Sequence, residues 1–272
     1  MTVQFTAIEL DEPAPSQWRR YGVTVGRVVL IAALIGIWKI GADAAGPLYV
    51  ADPLKVLQRI ATDTQSGELL RHIYVTVRLS VIGFVIGCGA GIVLPFALRP
   101  VPRISDAIEP YIMASVGIPK YALIPLFILY FGIDDAPKLW LIGLLVFYPV
   151  FIAVFAGIRS VDRRLLNMAR IVGAGEIQIA REVIWNSLLP FFFAALKISL
   201  PRAISAAVIG EFLVGNEGLG YLIEHSRQNF DTVGVFVGIV VATALVLILN
   251  TALVWLDKRV NGWRPTERHM EL

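Results

Sequence analysis

The residues of this sequence that are able to do chemistry are four charged side chains within apolar segments, namely Lys120, Lys197, Arg202 and Glu211. A charge in apolar surroundings is costly unless it meets water, an opposite charge or a ligand. Three of the four are positive, so the chemistry that they favour is the attraction of an anion. Glu211 has no second carboxylate or histidine at helical spacing with which to share a proton, so we interpret it as a pairing residue.

Lys120 lies between Pro119 and Tyr121, and Pro125 follows in the same apolar run. Two interpretations of Lys120 stay open: an electropositive element of a pathway, or a lysine held by an ion pair or by carbonyls that the prolines set free. The five-residue offset between Lys197 and Arg202 turns them in different directions on a helix. One of them is therefore expected to face a pathway, and the other a neighbouring helix or lipid headgroups.

Catalytic and metal chemistry is disfavoured. The three histidines (His72, His225 and His269) are scattered, Cys88 is the one cysteine, and no serine, histidine and acid set or pair of carboxylates converges. A membrane enzyme is therefore an unfavoured alternative. The sequence also lacks the GxxxxGK[ST] phosphate loop, so ATP would have to bind another chain.

The elements that position these charges are predicted to be transmembrane helices. The chain has 272 residues, 57% hydrophobic and 17% charged, against roughly 45–50% apolar and 25% charged in soluble domains. Charge-free windows of about 20 residues occur at 79–98, 139–158 and 232–256, and three further runs with few charges occur at 23–42, 111–131 and 188–213. We predict an all-α, polytopic membrane protein with six transmembrane helices in a single domain, 1–272.

The distribution of basic residues predicts the orientation. Lysine and arginine are concentrated in three segments: the N-terminal tail (1–22), the long hydrophilic loop (159–187) and the C-terminal tail (257–272). Because basic segments stay on the cytoplasmic side, both termini and this loop are predicted to be cytoplasmic. Residues 46–71 are then external, with a short amphipathic helix that starts at Pro53.

Glycines mark two other features. Gly83, Gly87 and Gly91 recur at four-residue intervals and form a stripe that lets helices approach closely. We favour packing within one subunit over a dimer interface for this stripe. The glycine-rich run 215–220 follows a span instead of a strand, so we interpret it as an external turn and not as a nucleotide loop.

The hydrophilic loop reads VDRRLLNMARIVGAGEIQIAREVIWNSLLPFFFAALKIS from Val161. Apolar residues at helical spacing predict a short helix, a turn at Gly173 and Gly175, and a second helix, with Pro190 as a rigid turn into the next span. Taken by itself, such a loop is most simply a connector that lies on the membrane surface.

Three further segments carry a family resemblance: GIPKYALIPLFILYFGI (117–133), AGIRSVDRRLL (156–166) and GEFLVGNEGLGYLI (210–223). They closely resemble permeases of ABC importers, in the branch for nitrate, taurine, alkanesulfonate and bicarbonate. The resemblance extends from about residue 53 to residue 260.

The hydrophilic loop is similar to the coupling motif of these permeases. Asn167, Met168 and Ala169 occupy the places of a glutamate and two alanines, and Gly173 occupies the place of the glycine. Val183 occupies the place of an isoleucine, and Trp185 and Asn186 replace the usual leucine and proline.

The resemblance implies a type I importer permease of the bacterial inner membrane, working as a homodimer. Its partners would be two cytoplasmic ATP-binding subunits, which hold ATP and magnesium, and an external substrate-binding protein. The chain itself would bind no cofactor or nucleic acid and catalyse no reaction. Its solute would be a small anion such as nitrate, a sulfonate, taurine or bicarbonate. A stand-alone secondary transporter or channel is the alternative, which the coupling-type loop and the lack of an internal repeat disfavour.

The resemblance also implies residue roles. The residues expected to couple to the ATP-binding subunits are Leu165, Leu166, Asn167, Met168, Ala169, Gly173 and Ala174. The candidates for the pathway or its gate are Pro119, Lys120, Tyr121, Lys197, Arg202 and Glu211.

Overall fold

The computed structural model describes residues 17–261, which form helices and connecting turns with no β-strand in that range. The all-α prediction is confirmed. The helices are α1 (Gln17–Ala45), α2 (Pro53–Gln65), α3 (Glu68–Leu98), α4 (Pro102–Ser115), α5 (Ile124–Phe131), α6 (Asp135–Arg159), α7 (Arg163–Ile171), α8 (Glu176–Gln178), α9 (Trp185–Val214), α10 (Leu219–Gln228) and α11 (Thr232–Val260). A 3₁₀ turn (Lys120–Leu123) precedes α5, and a π-helical segment (Ile179–Ile184) joins α8 to α9.

Five helical stretches are long and apolar enough to cross a membrane, and α4 together with the 3₁₀ turn and α5 makes a sixth that is bent by 88°. The prediction of six spans is confirmed when this bent pair is counted as one. The run 111–131 is nevertheless not one straight helix. Pro119 cannot donate a backbone hydrogen bond, and Pro125 favours the first turn of a new helix, so the chain breaks between α4 and α5.

Helix α6 is the centre of the fold and packs between α3 and α9. The glycine stripe of α3 lies against α6, where a side chain at Gly83, Gly87 or Gly91 would collide with the neighbouring helix. The residues of α6 that occupy this contact are Ile142, Gly143, Val146, Phe147 and Val150. Three glycines on one face thus let the two helices approach to backbone distance within one chain.

Helix α1 lies at the edge, with most of its described apolar side chains exposed. It contacts the rest of the chain through Trp38, whose Nε1 donates to the Ala51 carbonyl at 3.0 Å and whose ring stacks on Phe236. The predicted external helix is α2. Its N-cap is Asp52, which accepts the Leu54 backbone N–H at 2.8 Å.

The hydrophilic loop forms α7 and a turn, as predicted, but the rigid turn expected at Pro190 is wrong. The chain is helical from Glu176 to Val214, and Pro190 lies inside α9. Membrane helices tolerate proline because neighbouring groups and local π-helical adjustments satisfy the freed backbone, and a π-helical segment directly precedes α9. Of the tails assigned to the cytoplasm, residues 1–16 and 262–272 lie outside the described residues.

Candidate functional site

Lys120 lies at the break between α4 and α5. Its Nζ donates to the Val116 carbonyl at 2.6 Å, to the Ile118 carbonyl at 3.2 Å and to the Ser115 carbonyl at 3.4 Å. The last carbonyls of a helix have no intrahelical donor, so the end of α4 is a natural acceptor for a cation. The ammonium also lies 4.3 Å from the ring centroid of Tyr148 on α6.

Arg202 projects from α9 towards the same region. Its side chain is exposed, and its positive charge is close enough to interact with Lys120 and Tyr121. In the part of the chain that the structure describes, neither Lys120 nor Arg202 forms an ion pair with a carboxylate. Pro119 and Tyr121 are exposed beside Lys120. Two positive charges, one at the break and one on α9, therefore lie in this region, and among the described residues neither has a carboxylate partner.

The other two charged candidates lie in separate settings. Lys197 Nζ is 2.5 Å from Asp257 Oδ2, which ties α9 to α11. Glu211 is fully buried near the opposite end of α9. The structure thus brings together Lys120 and Arg202, but not all four residues.

Glu211 belongs to a buried network that fastens the glycine-rich turn to α3. Its Oε2 accepts the Thr76 hydroxyl at 2.8 Å and the Gly220 backbone N–H at 3.0 Å. The Thr76 hydroxyl in turn accepts the Leu219 N–H at 2.9 Å, and His72 Nδ1 accepts the Gly218 N–H at 3.0 Å. Gly218 has a φ of +106°, which a residue with a side chain rarely adopts.

The turn is shorter than the predicted run 215–220, because α10 already begins at Leu219. Sequence reasoning missed both α10 and the roles of His72 and Thr76. Their partners are 135 to 146 residues away, and no spacing rule connects them. Beside the turn, Arg71 binds Glu217, and this hydrogen bond lowers the pKa of the Glu217 carboxyl.

Helix α7 presents the candidate coupling residues on two faces. Leu166, Ala169 and Ala174 pack against the main core, whereas Leu165, Asn167 and Met168 are exposed. The N-cap of this helix is Asp162, whose carboxylate accepts the Arg164 N–H at 2.8 Å. It is followed by Gly173, which has a φ of +84°.

Five exposed residues of this loop region are apolar, and exposed charged and polar residues lie between them in the sequence. Leu165, Met168, Ile171, Val172 and Ile177 all expose about half or more of their surface. Exposed apolar side chains that lie together are a feature of surfaces that bind other proteins or a membrane. We call these five residues the loop patch.

Two sets of ion pairs connect the loop region to the spans, and the sequence did not reveal them. Glu176 Oε2 accepts Arg99 Nη2 at 2.8 Å, and its Oε1 accepts Arg170 Nη2 at 3.1 Å. Arg159, the last residue of α6, donates to Asp106 Oδ1 at 2.6 Å and to Glu109 Oε2 at 2.7 Å on α4. The surface of the loop is thus tied to α3, and the helix that leads into the loop is tied to α4.

Comparisons with known proteins agree with this architecture. Residues 83–262 match the family model described as the binding-protein-dependent transport system inner membrane component. A putative aliphatic sulfonates transport permease of Bacillus subtilis is 30% identical over 248 residues, which is 90% of this chain and 90% of that protein. A riboflavin transport system permease of Chloroflexus aurantiacus is 32% identical over 244 residues, covering 89% of this chain and 91% of that protein.

A solved structure of an inward-facing methionine ABC transporter superimposes with a TM-score of 0.59 at 20% identity. The match covers 73% of this chain and 98% of the solved one. At this identity the likeness establishes the fold alone. Together with the family match, it shows that the chain belongs to the inner membrane components of binding-protein-dependent transport systems and is a type I ABC-importer permease.

Proposed function

We propose that this permease forms the pathway for a small anionic solute, such as nitrate, bicarbonate, taurine or another sulfonate. The observation that supports an anion is the pair of charges formed by Lys120 at the α4–α5 break and Arg202 on α9, which have no carboxylate partner among the described residues. A charge in a span needs water, a partner or a ligand, and an anion in transit meets that need. One relative is named for sulfonates and another for riboflavin, so family membership alone does not choose the solute.

The chain is proposed to act as a homodimer with two ATP-binding subunits, which hold ATP and magnesium, and with an external binding protein. The loop patch would dock on the ATP-binding subunits, and the loop and both termini would then be cytoplasmic. Closure of those subunits on ATP would move α7, and the spans attached to it would open the pathway outward. Hydrolysis would return the pathway to its inward-open state.

The experiment is uptake into proteoliposomes by the chain alone and by the complex with its ATP-binding subunits and binding protein. The anionic probes are radiolabelled nitrate, bicarbonate and ethanesulfonate. Taurine is included as a zwitterion that carries a sulfonate, and riboflavin is the neutral probe. We expect ATP-dependent accumulation of an anionic probe by the complex, and neither ATPase activity nor uptake by the chain alone. Uptake by the chain alone would contradict the proposal of an ATP-driven pathway, and accumulation of riboflavin in preference to every anion would contradict the anionic solute.

A further inference from the structure

Helix α4 is attached to α6 by one arginine. Arg159 Nη2 lies 2.6 Å from Asp106 Oδ1, and Arg159 Nη1 lies 2.7 Å from Glu109 Oε2. The two acids are three residues apart and therefore lie on the same face of α4. The guanidinium also lies 4.4 Å from the ring centroid of Phe155, one turn earlier on α6. A planar fork that addresses two carboxylates fixes orientation as well as distance.

Helix α4 also makes apolar contacts with α6. Ile108 and Ile112 pack against a small cluster that contains Phe151 and Phe155. Apolar contacts of this kind are non-directional, so they resist separation better than they resist sliding. In the described range, every ion pair of α4 goes to Arg159. Arg159 therefore supplies the directional contact between α4 and α6 among the described residues.

Arg159 also lies at the entrance to the hydrophilic loop. Helix α6 ends at Arg159, and α7 begins at Arg163 after the Asp162 cap. The connection is too short to absorb a large displacement of α7 without moving the last turn of α6. At its other end, α4 reaches Ser115 and the carbonyls that hold Lys120. Arg159 thus connects the end of α6, which leads into the loop, to α4, which leads to Lys120.

We propose that Arg159 is a positioning residue that transmits movement of α7 to α4, and through α4 to the break at Lys120. This inference rests on the proposed coupling of the loop to the ATP-binding subunits. A purely structural role is the alternative, in which Arg159 holds α4 in place but passes on no movement. The two roles differ in what happens when α7 moves.

The test uses the complex with its ATP-binding subunits in nanodiscs, in a Cys88→Ser background. A nitroxide label is attached to a single cysteine, either at Arg163 on α7 or at Tyr111 on α4, both of which are exposed. Pulsed electron–electron double resonance then measures the distance between the two copies of the label. The measurement is made without nucleotide and after trapping with ATP and vanadate. We expect both distances to change in the parent complex.

In Arg159→Gln, we expect the change at position 163 to persist and the change at position 111 to be lost. Arg159→Lys should restore part of the change at 111, because it keeps the charge but not the fork. Arg181→Gln is the matched control, since it removes an exposed arginine on the same side whose partner, Glu182, is its chain neighbour. It should leave both changes intact.

A full change at 111 in Arg159→Gln would overturn the inference. A second result would also overturn it: in Arg159→Gln without nucleotide, the distance between the labels at position 111 already differs from that of the parent complex, and the melting temperature is lower. That result is expected if Arg159 only anchors α4. If position 163 does not move in the parent complex, the proposed coupling function fails and the inference falls with it. An unchanged distance at position 163 in the parent complex thus indicates failure of the proposed coupling function, whereas the result at position 111 in Arg159→Gln tests the inference alone.

Discussion

Lys197 Nζ lies 2.5 Å from Asp257 Oδ2, and this ion pair joins α9 to α11. The side chain of Asp257 is 18% exposed and that of Lys197 38% exposed, so water screens the pair only in part. Asn261 Nδ2 binds the second oxygen of Asp257 at 2.6 Å. Lys197 therefore has a carboxylate partner, which Lys120 and Arg202 lack among the described residues, and this makes Lys197 the weaker candidate for contact with a solute.

We expect Lys197→Met to lower the melting temperature of the purified protein, because the change leaves the Asp257 carboxylate without its partner. Breaking a fully buried pair costs about 3–5 kcal/mol, and the partial exposure of this one reduces the expected loss to about 1–2 kcal/mol. Asp257→Leu combined with Lys197→Met should recover most of the loss. A double variant as unstable as the single one would show that the pair is not the cause.

The hydropathy of the sequence predicted the number of spans well, because crossing a bilayer requires long apolar helices whatever their packing. It did not predict the bend at 116–123. Hydropathy reports composition over a window, whereas the break depends on Pro119, Pro125 and the capping of α4 by Lys120. The α10 helix was missed because it is short and polar and is held by His72 and Thr76, which are distant in sequence.

The sequence predicted part of the candidate site, as it predicted part of the fold. The positions of the charges in the spans were evident from their apolar flanks, but their partners were not. Asp257 lies 60 residues from Lys197 and was assigned to the C-terminal tail. Likewise, Asp106 and Glu109 are about 50 residues from Arg159. Pairing across such distances depends on how helices pack, which a single sequence does not encode in any local pattern.

The cap of α2 allows a test of the external segment. Lys39 Nζ binds Asp52 Oδ2 at 2.7 Å and, together with the Leu54 N–H, holds the pKa of the Asp52 carboxyl below its ordinary value of 3.8. We expect Asp52→Asn, which keeps the cap but loses the charge, to lower the melting temperature less than Asp52→Ala, which loses both. Equal melting temperatures for the two variants would contradict a role for the cap.

The same carboxyl has a defined pH dependence. Because its folded pKa is lowered, its contribution to stability is complete above the unfolded pKa and is lost as pH falls through the folded value. The difference in melting temperature between the parent protein and Asp52→Asn should therefore be constant from neutral pH down to about pH 5. Below 3.8 it should shrink. A difference that changes between pH 8 and pH 6 would point to another group.

Thr76 serves as donor to Glu211 and as acceptor for Leu219, so Thr76→Val should leave the buried Leu219 N–H without its acceptor and remove one of the two hydrogen bonds to Glu211 Oε2. We expect a loss of about 1–3 kcal/mol in stability and faster hydrogen exchange in residues 215–220. Thr243→Val is the matched control, because the Thr243 hydroxyl donates to the Ile239 carbonyl of its own helix at 2.8 Å and is exposed. If both variants melt at the same temperature, the network does not hold the turn.

The turn after α7 tests the coupling surface. Gly173 has a φ of +84°, a conformation that asparagine and aspartate tolerate better than other side chains, and the space around it is open. We expect Gly173→Asp to abolish ATP-driven uptake by the complex, because a charge beside the loop patch opposes apolar docking. Gly173→Asn has the same size without the charge and should retain more uptake. Normal uptake in Gly173→Asp, with normal assembly, would mean that the loop is only a connector.

Lys120 is the residue on which the anionic pathway depends most directly. Its ammonium is held by the carbonyls at the end of α4 and by the Tyr148 ring, so it is oriented without a carboxylate among the residues described. We expect Lys120→Met to lower uptake of the anionic probe by about tenfold, since a contact worth about 1.4 kcal/mol corresponds to that factor. Assembly and basal ATPase activity should be retained. Lys55→Met, an exposed lysine on α2, is the matched control and should not lower uptake.

The structural role of Lys120 predicts a different order of effects. If the ammonium serves mainly to satisfy the carbonyls of Val116 and Ile118, Lys120→Met leaves those acceptors unpaired, and yield or melting temperature falls before uptake per folded complex does. Tyr148→Leu separates the two roles further, because it removes the ring and leaves the charge in place. Uptake per folded complex that is unchanged in Lys120→Met, whatever the melting temperature, would rule out a role in the pathway and leave Arg202 as the uncompensated charge to test.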